Sequence, residues 1–243
     1  MPGIINDVAS IAETFLKIKP ICYDIDTMEA IIFLIYIVVF LYSVILHEIA
    51  HGWVASRFGD DTARILGRLS LNPIAHIDPM GSIVVPLLLY ISGTGFLFGW
   101  AKPVPVNPYR LQGGPAAYRW VVMAGVITNF FLVIISALVF KVTTQHLGLG
   151  ANNLGVILFA AALQINLVLA IFNTLPLPGF DGFNFLTTFK PVAILVSKTP
   201  LTNPLFMAQY GLILSFVILV LIMPVVNIIF NIIFNLFGKI FGI

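Results

Sequence analysis

The residues best suited to chemistry stand together in Leu46-His47-Glu48-Ile49-Ala50-His51-Gly52-Trp53, at the end of a long apolar run. Two histidines four positions apart share one face of a helix, with Glu48 beside them. Imidazoles at that spacing can hold one zinc ion, and the adjacent carboxylate can take a proton from water activated there. The five-residue pattern alone is common, but its setting is not. A glutamate and two histidines inside an apolar span are costly unless they are paired or bind something. The plain alternative is a polar packing cluster, or histidines at a lipid interface.

Hydrolytic zinc takes a third protein ligand and keeps one position open. The candidates are His76, His146, Glu29 and seven aspartates. Asp181 stands out by its setting, Asn173-Thr174-Leu175-Pro176-Leu177-Pro178-Gly179-Phe180-Asp181-Gly182. The prolines stop the preceding apolar run, and a new helix could begin near Asp181 and continue from Gly182 to Phe189. Irregular backbone at membrane depth is tolerated only inside protein or around a cavity. A helix N-cap is the plain role for such an aspartate; beside a His-Glu-His helix, metal ligation becomes the better reading.

The elements that must carry these residues follow from composition. The chain of 243 residues is 60% hydrophobic and 9% charged, against roughly 25% charged in a soluble domain. An ordinary cytosolic enzyme, a disordered tail and a collagen-like fibre are excluded. A net charge of +2 without a basic cluster argues against nucleic-acid binding. The single cysteine, Cys22, excludes an internal disulfide framework. No internal repeat is evident. A polytopic membrane protein remains.

Five apolar stretches meet or approach the roughly 20 residues that cross a bilayer: Ala30 to Leu46 and on past Ala55, Met80 to Phe98, Trp120 to Phe140, Leu154 to Leu175, and Leu205 to Ile243. The last is too long for one span, and Pro224 is expected to divide it by a turn or kink. Residues 1–28 are expected to lie outside the bilayer or along its surface, and show no signal-peptide pattern. Residues 29–190 form the expected catalytic membrane core, and 191–243 the C-terminal membrane helices.

On these residues the sequence resembles the site-2 protease family of intramembrane zinc metalloproteases, in a compact form without PDZ or CBS domains. The resemblance covers about Leu41 to Phe189. Besides His47-Glu48-x-x-His51 and Asn173-x-x-Pro176-x-x-x-x-Asp181-Gly182, it rests on Gly67-to-Gly81, Phe98-to-Pro108 and Met123-to-Asn129. It departs from the family where Val126 follows Gly125, a position usually held by proline; packing more than chemistry should feel this.

The resemblance implies His47, His51 and Asp181 as ligands of one Zn2+, Glu48 as catalytic base, and Asn173 facing the active site to orient substrate or a developing oxyanion. Asn72, His76 and Asn129 are candidates for substrate contact, with the Asn72–Asp78 loop lining or gating a water path. The expected fold is an all-α polytopic membrane protein. Three transmembrane core helices and peripheral helices are joined by a small β or re-entrant element between the first and second core helices. Arg68–Asn72 and Val104–Asn107 are the candidate strands, whose edge could take up an unwound substrate. Expected partners are the lipid bilayer and single-span membrane proteins or remnant signal peptides.

Ligand convergence constrains the threading. If Met80–Phe98 were a full crossing, Asp181 would emerge opposite Arg57; if it dips in and returns, the ligands can meet. A re-entrant path also puts eight Lys/Arg on one side against three on the other, a usable positive-inside bias. The expectation is therefore a bacterial multi-pass membrane protein with Arg57 cytoplasmic and the site nearer that face. The rival classes are a membrane metal transporter and an inactive scaffold that binds transmembrane helices. Asn227, Asn231, Asn235 and Lys239 add a polar ridge to the final helix, suited to packing or an interfacial position.

Overall fold

The computed structural model describes residues 27–91 and 101–241. Among them every regular element is helical. Helix α1 spans Thr27–Arg57, α2 Thr62–Ile65, α3 Val85–Ile91, α4 Gly114–Lys141 and α5 Leu154–Thr174. Then come α6 over Asp181–Thr187, α7 over Lys190–Ser197 and α8 over Pro204–Phe241. Helices α1, α5, and α4 with the π-helical turn that extends it to His146, are each long and apolar enough to cross a membrane. Of the segment 1–28, all but Thr27 and Met28 lies outside the described residues.

The three long helices are arranged inside out relative to a soluble protein. Phe33, Leu34, Ile37, Val38 and Phe40 of α1 and Phe131, Ile134 and Leu138 of α4 are exposed. Ser43, His47, His51, Asn129, Ser136 and Asn166 are buried between the helices. Lipid rewards this distribution, because polar side chains in a span must face protein partners. Valine, alanine and leucine complete the interior: Val133 and Ala137 of α4 meet Leu163, Leu167 and Ile171 of α5, one helical turn apart along each helix.

Pairings across the core give its direction. His51 and His47 of α1 meet Val121 and Asn129 of α4, in opposite sequence order. Tyr36 and Ser43 meet Gln164 and Asn166 of α5, in the same order. So α4 runs antiparallel to α1 and α5 parallel to it, and the 58–113 connection leaves and re-enters the bundle at one end.

That connection is held by polar anchors. Asn72, Asp78 and Asn107 each precede a proline and accept an amide N–H from the tight turn that follows, the arrangement that starts short helical turns. The Lys102 amide donates to the His76 carbonyl at 2.9 Å, and Arg68 Nη2 donates to the Lys102 carbonyl at 2.7 Å. The expected small sheet is not formed by the described residues: Arg68–Asn72 and Val104–Asn107 contain no strand. Pro103 and Pro105 supply no N–H, so this stretch cannot sustain a ladder. It forms an extended strap instead. The centre of the Met80–Phe98 stretch begins as a π-helical turn and α3, whereas Gly93, Gly95 and Phe98 lie outside the described residues.

At Pro224 no turn divides the final stretch. Helix α8 runs through it without a break for 38 residues, about 57 Å at 1.5 Å per residue. An internal proline forfeits one backbone hydrogen bond, whereas ending a helix leaves up to four carbonyls to be satisfied. Phe230, Ile233 and Phe234 of α8 pack on the α4–α5 core. On its polar ridge Asn231, Asn235 and Lys239 are exposed.

Asp60, fully buried just after α1, fastens the strap to the helix end. It accepts from Thr62 N and Oγ1 and, at 2.6 Å, from Asn107 N. Burial pushes its carboxyl up, but the Thr62 and Asn107 hydrogen bonds and the Arg110 charge outweigh this and hold it below its ordinary 3.8. A carboxyl lowered by folding stabilises above its unfolded value, and that contribution fades as pH falls through the folded value. Asp60→Ala should cost about 1–3 kcal/mol by orphaning these donors. Thermal unfolding in detergent should show this loss at neutral pH, and a smaller gap between the two proteins below pH 3.8.

Candidate metal centre

Helix α1 delivers His47 and His51 one turn apart, with ring centroids 4.7 Å apart and planes nearly perpendicular. Asp181 arrives from the far side of the bundle. After α5 ends, Gly179 takes a left-handed conformation at φ +93°, and α6 opens on Asp181 at the same depth as the two imidazoles. Gly182 is what lets α6 start there: a Cβ on it would run into the carbonyls of Thr174 and Leu175.

Three donor atoms converge. His47 Nε2 and His51 Nε2 are 3.1 Å apart, and Asp181 Oδ2 lies 3.2 Å from the first and 3.3 Å from the second. Donors bound to tetrahedral zinc at about 2.0–2.1 Å stand roughly 3.3–3.4 Å from one another. The triangle matches one face of that tetrahedron, leaving the fourth vertex for water or substrate.

The chemistry of the donor set agrees with its spacing. His51 Nδ1 lies 2.8 Å from the Val121 carbonyl, which can only accept. The proton of a neutral His51 therefore sits on Nδ1, and its Nε2 lone pair points at the other two donors. Asp181 Oδ2 is buried and accepts no hydrogen bond. Converging lone pairs in an apolar bundle repel one another, and a divalent cation removes that repulsion. Among the described residues this is the group of His, Cys, Asp and Glu side chains placed to hold a metal ion.

Glu48, beside His47, accepts the Val104 amide on Oε2 at 2.7 Å. The strap thus orients the carboxylate next to the metal ligands. Its fit is tight: a Cβ on Gly52 would stand 2.7 Å from both Val104 and Leu69 side chains.

The other candidates fall elsewhere. Asn173 donates to the Leu169 carbonyl on its own helix at 2.9 Å. Asn72 is exposed and its oxygen is engaged in capping Ile74. His76 is 2% exposed, inside the loop, with Nε2 at 2.8 Å from the Ser70 carbonyl. Asn129 is fully buried, its Oδ1 2.6 Å from His47 Nδ1, so it stands behind a metal ligand. Glu29 and His146 are exposed. Ser43 and Asn166 were not legible as site residues, although Asn166 carries a signal, a lone amide midway through an apolar span.

A His-His-carboxylate cradle set between helices that turn apolar side chains outward is a candidate metal site within a membrane-spanning bundle. Comparison with known proteins agrees. The chain is 36% identical over 189 residues to "Putative zinc metalloprotease YwhC" of Bacillus subtilis (strain 168), covering 76% of this chain and 79% of that one. It is 31% identical over 168 residues to "Putative zinc metalloprotease Rip2" of Mycobacterium tuberculosis (strain ATCC 25618 / H37Rv), covering 68% of this chain and 59% of that one. No family model and no solved structure matches. The chain belongs to the site-2 protease family of zinc metalloproteases.

Gly125 of α4 lies directly against His47, and a Cβ there would overlap the imidazole ring. Gly125→Ala should therefore displace the ring and weaken zinc binding at least about tenfold, the scale of disturbed ligand orientation. Competition with a chromophoric chelator measures this, and circular dichroism should show the helices intact.

Proposed function

We propose that the chain is an intramembrane endopeptidase that hydrolyses a peptide bond within or near the transmembrane segment of single-span membrane proteins or remnant signal peptides. The observation that carries this reading is the triangle of His47, His51 and Asp181 donors with Glu48 beside it, all within an apolar bundle. A transporter would need a further ligand station along a route. Among the described residues the other acidic and histidine side chains are loop anchors or exposed.

A zinc ion held there would lower the pKa of water toward about 7 and polarise a carbonyl. The protein's own residues do the rest. His47, His51 and Asp181 hold the ion and leave one vertex open. Glu48, steadied through one oxygen by the Val104 amide, accepts the proton of the attacking water with the other and returns it to the departing amine. Asn173 would turn to orient the substrate carbonyl, exchanging its present bond to Leu169 for one to substrate.

A transmembrane helix satisfies its own backbone, so the scissile bond must first be unwound. The extended strap lies across the catalytic end of α1, and an unwound substrate segment would lie alongside it. Residues 80–98 would dip into the bilayer and return, which the tie between Lys102 and His76 supports by holding together the chain on either side. Arg57 would then be cytoplasmic, by the positive-inside bias, with the site on that side of a multi-pass bacterial membrane protein.

Glu48→Gln decides the matter. In detergent, with a panel of single-span peptides read by mass spectrometry, it should lower cleavage by about 10²–10⁴-fold and leave bound zinc at wild-type stoichiometry. Chelator should abolish the wild-type reaction. Undiminished cleavage by the glutamine variant overturns the assignment.

A further inference from the structure

Behind His47 lies a chain of buried amides that belongs to neither the ligands nor the base. His47 Nδ1 is 2.6 Å from Asn129 Oδ1. Asn129 Nδ2 donates to Asn166 Oδ1 at 2.8 Å. Asn166 Nδ2 donates to the Ala162 carbonyl at 2.8 Å and to Ser43 Oγ at 3.0 Å. Asn129 is fully buried, Asn166 is 2% exposed and Ser43 4%. The chain crosses from α5 through α4 to α1, so three helices share it.

The direction of every bond follows from its far end. The Ala162 carbonyl can only accept. Asn166 must therefore turn its NH2 toward Ala162 and its oxygen toward Asn129, since a flipped amide would set two oxygens 2.8 Å apart. With that oxygen facing it, Asn129 must donate, which turns its own oxygen to His47. Nδ1 of His47 then carries the proton, and the Nε2 lone pair is left for the metal. The tautomer of the ligand is thus decided two residues away, by a helix carbonyl.

We propose that Asn166 is a positioning residue of the metal centre, setting the His47 tautomer and ring orientation through Asn129. The inference rests on the zinc-binding reading of the His-His-Asp triangle. It is more specific than polar packing between helices: a packing amide would serve in either orientation, whereas this one serves in a single orientation.

The test uses the full-length protein in detergent, with zinc affinity read by chelator competition and geometry read from the visible spectrum of the cobalt(II)-substituted protein. Asn166→Leu, of similar volume, should weaken zinc binding by about 10–100-fold and alter the cobalt bands. The double variant Asn129→Leu/Asn166→Leu should bind no more weakly than Asn129→Leu alone, because Asn166 acts only through Asn129. Asn129→Asp offers two accepting oxygens to His47 whatever its neighbour does, so Asn129→Asp/Asn166→Leu should recover most of the lost affinity. If the leucine variant does not fold, Asn166→Ser, too short to reach Asn129, carries the same comparison. Wild-type affinity in a folded Asn166 variant, additive losses in the double variant, or no rescue by Asn129→Asp overturns the proposal. Absence of zinc binding by the wild-type protein would instead overturn the metal assignment itself.

Discussion

Three lone pairs aimed at one point, inside a bundle whose surroundings are hydrocarbon, form the constraint on which the rest of this molecule depends. His47 Nε2, His51 Nε2 and Asp181 Oδ2 stand 3.1 to 3.3 Å apart. Without a cation, that arrangement sets a carboxylate oxygen against two imidazole lone pairs in a medium that screens poorly. With one, the same low dielectric strengthens every bond to it. The parallel run of α1 and α5 exists in service of this point, since only then can a residue following α5 reach the depth of His47. The glycines serve it too: Gly125 lets α4 approach the imidazole, and Gly182 lets α6 begin against the end of α5.

The polar strap outside the bundle extends the same logic to Glu48, one residue from a metal ligand. The Val104 amide holds Glu48 Oε2 and fixes the direction of its carboxylate. Prolines on both sides of Val104 leave no competing N–H next to its amide, which is directed at Glu48. The strap is in turn fixed by Asp60, through Asn107, and by Arg68, through the Lys102 carbonyl. A buried aspartate that never approaches the metal site is therefore part of how Glu48 is held.

What the sequence made legible was local in nature. His47, Glu48 and His51 could be read because their spacing alone puts them together on one helix, and Asp181 because prolines and glycine announce an irregular entry into a new helix. Long-range pairing was invisible. Asn129 could be singled out but not oriented, since its partner His47 is 82 residues away and the next, Asn166, 37 residues away. The alternation in Arg68–Asn72 suggested a strand, but the missing N–H groups of Pro103 and Pro105 deny it a partner. Pro224 suggested a break by local rule, whereas the continuous helix avoids exposing backbone groups that an apolar neighbourhood could not satisfy.

Where the centre sits along α1 is also a compromise between opposed demands. His47 stands ten residues before Arg57, about 15 Å along the helix. Nearer the bilayer midplane, water would have no route to the open vertex of the metal site. Nearer the surface, the bundle would no longer exclude competing water from Asp181 and the histidines. Beyond the histidines the loop end of the bundle contributes polar atoms, from the strap and from Asp60, while the exposed side chains of the first half of α1 include Phe33, Leu34, Ile37 and Phe40. The metal site thus stands where the apolar first half of α1 gives way to the polar loop end of the bundle.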